Sequence, residues 1–227
     1  MGALAKGLKP GLYAITDARL TPDDRLVSCV EAALRGGAVL VQYRDKSASA
    51  RERLRQATEL QAVCRNAGVP LIINDDPELA RRVGAAGAHL GQRDGSLAEA
   101  RRLLGEDAIL GATCHARLDL AHQAVAQGAD YLAFGRFHRS ATKPEAPAAP
   151  RSVLTHARHL GRPVTAIGGI TLANARPLIE AGADLLAVVG GLFGGTPEQI
   201  EATARAFQQL FTEHHPSCLS QSTGAQP

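Results

Sequence analysis

Gly182-Ala183-Asp184-Leu185-Leu186-Ala187-Val188-Val189-Gly190-Gly191 decides the fold, because its pattern occurs four times along the chain. Gly37-Ala38 leads into Val39-Leu40-Val41, Gly87-Ala88 into His89-Leu90, and Gly128-Ala129 into Tyr131-Leu132-Ala133. Each copy follows a helix-like stretch and gives a short apolar strand with a polar exit. The exits are Gln42-Tyr43-Arg44-Asp45-Lys46, Gln92-Arg93-Asp94, Gly135-Arg136 and Gly190-Gly191. Parallel α/β folds place their chemistry at strand C-termini, so the repeat points to both the architecture and the place to look for a site.

Working outward, four further strands fill the gaps: Leu12–Ile15, Leu71–Ile73, Ile109–Ala112 and Val164–Ile167. Helical patterns follow every strand, from about Asp24–Arg35 to a last one at Pro197–Phe211. Asp23 or Asp24 can cap the first helix, Pro77 opens the third, and Ser96 with Glu99 makes a capping box for the fourth. Eight alternating units predict a parallel sheet closed into a single-domain (β/α)8 TIM barrel over residues 1–212. An open doubly wound sheet would want G-x-G-x-x-G after the first strand, and that motif is missing. The polar stretch 213–227 lacks periodicity and is expected to be a disordered tail.

Composition agrees. The 227 residues are 45% hydrophobic but only 4% aromatic, with no Trp, so the core must be aliphatic, as in parallel sheets covered on both faces. Twenty-five basic and 22 acidic residues are well mixed (net +3), which argues against a nucleic-acid surface. Cys29, Cys64, Cys114 and Cys218 are scattered without zinc-type spacing and read as reduced thiols. The N-terminus lacks a signal-peptide apolar run, and no stretch approaches the ~20 apolar residues of a membrane span. A cytoplasmic protein is expected.

Three groups of exit residues can carry chemistry. Gly168-Gly169 and Gly190-Gly191 follow the seventh and eighth strands, where such barrels commonly seat a phosphate on backbone N–H groups; glycine pairs can equally just end strands. Asp75 and Asp94 leave neighbouring strands and, with phosphate oxygens and water, would hold Mg2+; as turn or cap residues they would do nothing of the kind. Arg44, Lys46 and Lys143 would neutralise a diphosphate, or be solvated loop charges. His89, His115 and His138 are acid–base candidates, but His89 lies within a strand and reads as a packed, hydrogen-bonded residue. Cys114 beside Thr113 has no activating base.

The segments Gly11-Leu12-Tyr13-Ala14-Ile15-Thr16-Asp17, Gln42-Tyr43-Arg44-Asp45-Lys46, Asn74-Asp75-Asp76, His89-Leu90-Gly91-Gln92, Gly111-Ala112-Thr113, Thr142-Lys143 and Ile167-Gly168-Gly169-Ile170 stand in this order at strand exits. Together they resemble the thiamine-phosphate synthase / thiazole tautomerase family over residues 11–193. The resemblance implies a transferase. It would join 4-amino-2-methyl-5-hydroxymethylpyrimidine diphosphate to a thiazole phosphate, releasing pyrophosphate, with Mg2+ and small-molecule substrates as its only implied partners. It further implies that Gln42, Tyr43, Arg44, Asp45 and Lys46 meet the pyrimidine diphosphate, along with Asn74, Thr113 and Lys143. Asp75 and Asp94 would be the metal ligands. Ser140, Ala141 and Thr142 would lie near the thiazole phosphate, and Gly169, Val189 and Gly190 would form its cradle. Many members carry Ser where this chain has Gly190, so a hydroxyl contact is lost here. No protein nucleophile is needed if diphosphate departs before the thiazole nitrogen attacks. Two rivals stay open: a thiazole tautomerase, which would need an acid–base residue but no metal pair, and a non-catalytic thiazole- or thiamine-phosphate binder.

Overall fold

The computed structural model describes residues 5–138 and 148–218. Eight parallel strands close in sequence order, β1 (Gly11–Ile15), β2 (Leu40–Tyr43), β3 (Leu71–Asn74), β4 (Gly87–Leu90), β5 (Ile109–His115), β6 (Tyr131–Gly135), β7 (Val164–Ile167) and β8 (Leu185–Val188), with β8 pairing back to β1. The helices between and after them are α1 (Asp23–Arg35), α2 (Ala50–Asn66), α3 (Pro77–Val83), α4 (Leu97–Leu104), α5 (Leu118–Ala126), α6 (Ser152–Ala157), α7 (Leu172–Glu180) and α8 (Pro197–His214). The expected (β/α)8 barrel is therefore the observed one. Among the described residues no helix is long and apolar enough to cross a membrane.

Strand parity separates two cores. Leu12, Ala14, Val41, Tyr43, Leu71 and Ile73 face outward into the layer of helices. Tyr13, Ile15, Leu40, Ile72, Ile109, Tyr131, Leu185 and Ala187 fill the barrel, and Leu8 plugs its lower end. Side chains on alternate residues of a strand point to opposite faces, so each strand feeds both cores.

Local signals account for the helix starts. Ser49 and Glu52 form a reciprocal capping box on α2, as do Thr196 and Gln199 on α8, where Pro197 adds a preset φ. Two expected caps differ. Ser96 caps α4 through the Ala98 N–H (3.2 Å), while Glu99 turns to Arg102 (3.9 Å). Pro22 takes the N-cap place of α1, which frees Asp23 to receive Gln56 Nε2 (2.8 Å) and Arg55. At the other end, α8 runs past Phe211 to His214. His215 is buried and lies 3.3 Å from Asp184 Oδ1, so residues 213–218 pack on the barrel instead of hanging free; 219–227 lie outside the described residues.

Candidate active site

The upper rim of the barrel, where strands end, collects charge on one side. β2 delivers Gln42 inward, buried, and then runs into a loop carrying Arg44 and Lys46. The Arg44 backbone is clasped by Thr16, whose hydroxyl accepts from the Arg44 N–H (2.8 Å) and donates to its carbonyl (3.3 Å). Its guanidinium stands 3.9 Å from the nearly buried Asp17. Asp17, at the end of β1, is a holder of Arg44 that spacing alone did not single out, although Thr16-Asp17 is a polar strand exit like the others.

Lys46 reaches across to Asp75 (2.9 Å) beyond β3. Asp75 has a left-handed backbone (φ 60), rare for a residue with a side chain, and its N–H bonds to the His89 carbonyl of β4 (2.9 Å). That conformation turns its carboxylate toward Lys46 and into hydrogen-bonding reach of Asp94. Asp94 is steadied by the Gly91 N–H (3.1 Å), and Asn74 adds a hydrogen bond to Asp75. Burial and the neighbouring Asp75 charge raise the Asp94 pKa above the usual carboxylate range. For Asp75 burial acts the same way, but hydrogen bonds from Lys46 and Asp94 outweigh it and hold the carboxyl below that range.

Two adjoining carboxyls, hydrogen-bonded to each other and one of them paired with Lys46, suit a hard divalent cation once both are ionised. They are too few to enclose one, and among the described residues no cluster of three or more His, Cys, Asp and Glu is arranged to do so. The remaining coordination would come from substrate oxygens and water, the usual manner for Mg2+. The residues present fit that ion.

Other expected site residues divide by position. Tyr43 faces the helices: it is buried and donates to Gln56 Oε1 (2.5 Å), so only its backbone borders the rim. Asp45 folds its own loop, accepting from the Ser47 N–H and hydroxyl (both 2.7 Å) and the Ala48 N–H (2.9 Å). Thr113 sits in β5, its hydroxyl 2.9 Å from His89 Nε2. Ser140, Ala141, Thr142 and Lys143 lie outside the described residues.

Across the mouth, the exits of β7 and β8 are mostly backbone. Gly168 and Gly169 take φ of 103° and 63°, and a Cβ on Gly168 would lie 2.3 Å from that of Arg136. After β8 a single helical turn forms, Val189 accepting from the Leu192 (3.0 Å) and Phe193 (2.9 Å) N–H groups. Gly190 is open: an added Cβ would meet only Leu20 Cδ1, at 3.7 Å.

His89 is buried between Tyr131 and Thr113. Burial lowers its pKa to about 4 against the opposing pull of Asp75, so the ring is neutral at pH 7. Burial likewise raises the phenols of Tyr13 and Tyr131, which stay protonated. Cys114 faces outward with its thiol pushed up to about 12 by burial, which removes it as a nucleophile.

An eight-stranded α/β barrel with its cations, carboxylates and glycine turns gathered at the strand C-termini is a (β/α)8-barrel enzyme in design. Residues 12–192 match the family model described as Thiamine monophosphate synthase. A thiamine-phosphate synthase of Marinobacter nauticus is 66% identical over 216 residues, 95% of this chain and 97% of that protein. The solved thiamine phosphate pyrophosphorylase of Pyrococcus furiosus superposes with a TM-score of 0.81 at 31% identity, covering 91% of this chain and 97% of that one. A thiamine phosphate pyrophosphorylase structure from Bacteroides thetaiotaomicron shares the fold (TM-score 0.67, 17% identity, 90% and 100% covered). The chain belongs to the thiamine monophosphate synthase family.

Proposed function

We propose that this enzyme condenses 4-amino-2-methyl-5-hydroxymethylpyrimidine diphosphate with a thiazole phosphate to give thiamine phosphate and pyrophosphate, as a cytoplasmic biosynthetic transferase. The observation that carries this reading is the Lys46–Asp75–Asp94 cluster beside Arg44, facing a glycine-built turn across one barrel mouth. It offers two anion seats of different kinds, one for a diphosphate and one for a monophosphate.

In this reading Arg44 and Lys46 bind the diphosphate, and the family resemblance assigns Lys143 to the same group. Asp75 and Asp94 hold Mg2+, which would supply further neutralisation of the leaving group. Lys46 is 62% exposed, so its pairing with Asp75 adds little to stability and exchanges readily for a ligand oxygen. Gln42 and Asn74 orient the pyrimidine, while Gly169, Val189 and Gly190, with residues 140–142, seat the thiazole phosphate. The C–O bond to the diphosphate breaks with its electron pair leaving on oxygen. The aminopyrimidine shares the positive charge left on its methylene carbon, and the thiazole nitrogen lone pair closes the new C–N bond. No proton need move, so the chain supplies fixed charge and alignment. That suits a site whose buried histidine, His89, is neutral and hydrogen-bonded at both ring nitrogens, and whose strand-five thiol, Cys114, is buried.

The test is to incubate purified protein with both precursors, with and without Mg2+, and assay thiamine phosphate. Product that depends on Mg2+ is expected; no product under either condition overturns the reading. A tautomerase would instead isomerise a carboxylated thiazole phosphate supplied alone, and no such conversion is expected.

A further inference from the structure

Five side chains inside the barrel join end to end. Gln42 Nε2 lies 2.6 Å from Tyr13 Oη, Tyr13 Oη 2.8 Å from Tyr131 Oη, Tyr131 Oη 3.0 Å from His89 Nδ1, and His89 Nε2 2.9 Å from Thr113 Oγ1. The series links β2, β1, β6, β4 and β5 and ends on Gln42 and Thr113, which the family resemblance places against the pyrimidine diphosphate, Thr113 on its diphosphate. Gly111 makes room for it: a Cβ there would lie 2.0 Å from Tyr131 Cζ and 2.5 Å from His89 Nδ1. The His89 ring stacks on Tyr131 with centroids 5.5 Å apart, and Tyr131 meets Tyr13 edge-on at 5.9 Å. Both phenols are fully enclosed, so neither can turn to bulk water.

Counting hydrogens sets a direction. Each phenol has one to give. With the Gln42 amide donating to Tyr13, as the structure has it, Tyr13 gives to Tyr131 and Tyr131 to His89 Nδ1. With Nδ1 accepting, the ring proton of His89 sits on Nε2 and is given to Thr113, whose own hydroxyl hydrogen is left for a group outside the chain. Run backwards, the series would put the Gln42 carbonyl oxygen on Tyr13, place the His89 proton on Nδ1 and consume the Thr113 hydrogen inward. A mixed sense would leave either a buried phenol hydrogen with no acceptor or two phenol oxygens 2.8 Å apart with no hydrogen between them, at a cost that nothing nearby offsets. An anionic oxygen at Thr113 distinguishes the two coherent senses: it takes a hydrogen bond from a hydroxyl and is repelled by lone pairs.

We propose that these side chains form one polarised hydrogen-bond chain that holds His89 as its Nε2–H tautomer and presents the Thr113 hydroxyl hydrogen to the diphosphate. The last clause rests on the functional reading above; the tautomer does not. Tyr13, Tyr131 and His89 are thereby positioning residues. They leave the Gln42 carbonyl oxygen as an acceptor and the Thr113 hydroxyl as a donor together, so the two ends of the pyrimidine diphosphate are recognised as a unit.

The test uses the full chain labelled with 15N-histidine at neutral pH, with and without Mg2+ and inorganic pyrophosphate. The expected His89 spectrum in both states has a protonated Nε2 and a bare Nδ1; a protonated Nδ1, alone or together with Nε2, overturns the proposal. Tyr131→Phe is expected to bring up the Nδ1–H form and to lower kcat/KM for the pyrimidine diphosphate about tenfold, leaving KM for the thiazole phosphate unchanged. Wild-type spectrum and kinetics in that variant also overturn it. If Tyr131→Phe does not fold, the wild-type spectrum alone decides the direction. An Nε2–H spectrum in a protein that makes no thiamine phosphate would uphold the chain and overturn only the functional reading.

Discussion

The two ends of the barrel use the same ingredients to opposite effect. At the lower end Asp130, nearly buried, takes Arg101 at 2.6 Å, Lys6 at 3.3 Å and the Leu110 N–H at 2.8 Å. Arg101 also donates to the Ala108 carbonyl (2.6 Å) and the Gly128 carbonyl (3.0 Å), and Lys6 to Ala108 (2.5 Å). This cluster is saturated by its own chain, and it ties the N-terminal segment to the strand starts. At the upper end Asp75 and Asp94 lean on each other through a shared hydrogen bond, Lys46 is largely exposed, and Arg44 meets its acid only at 3.9 Å. The lower charges are satisfied internally and serve stability. The upper ones are less fully paired and stand at the strand C-termini, the end where such barrels place their chemistry.

Substitutions should separate the two ends. Asp75→Ala should lower the condensation rate by at least about a hundredfold, yet move unfolding stability by less than about 1 kcal/mol. Steady-state assay beside urea unfolding checks this; a large loss of stability would place Asp75 with the lower cluster. Asp130→Ala should do the reverse, costing about 3 kcal/mol because Arg101 and Lys6 lose their buried partner, with kcat of the folded fraction unchanged.

His89 adds a pH signature. Its folded pKa of about 4 lies below the unfolded value near 6.5, so between the two the unfolded chain binds the extra proton. Stability therefore falls as pH drops through that window, by about 3 kcal/mol in total from this residue. Unfolding curves at pH 7 and pH 4 should show this fall in wild type and a shallower one in His89→Gln; parallel curves would contradict it. The smallest effect is expected at Gly190→Ser. The site has room for the added Cβ, and a hydroxyl there should tighten thiazole-phosphate binding about fivefold by titration.

Most of the barrel was legible because its signals are local. Strand parity, capping residues and the recurring Gly-Ala phrase all act within a few residues, and the boundaries moved by only a few residues at most positions. The site was legible as a set of exits but not as a set of contacts. Asp75 and Asp76 are adjacent and chemically equal, yet Asp76 caps α3 through the Leu79 N–H (2.9 Å) and binds Arg53 (2.6 Å), while Asp75 faces Lys46. The left-handed turn at Asp75 separates them, and a non-glycine residue does not announce such a turn. Family resemblance groups Tyr43 with its neighbours, although alternation alone turns it away from the inward-facing Gln42. The Tyr13–Tyr131–His89 series could not be found in sequence, since it depends on the registers that bring three strands level.

The central claim is that the upper cluster is a seat for a metal-bound diphosphate. Calorimetric titration of inorganic pyrophosphate into the protein, with and without Mg2+, in wild type and in Asp75→Asn, tests it most directly. The account predicts binding that weakens at least about tenfold when Mg2+ is removed and loses its Mg2+ dependence in the variant. Equal affinity under all four conditions would contradict it.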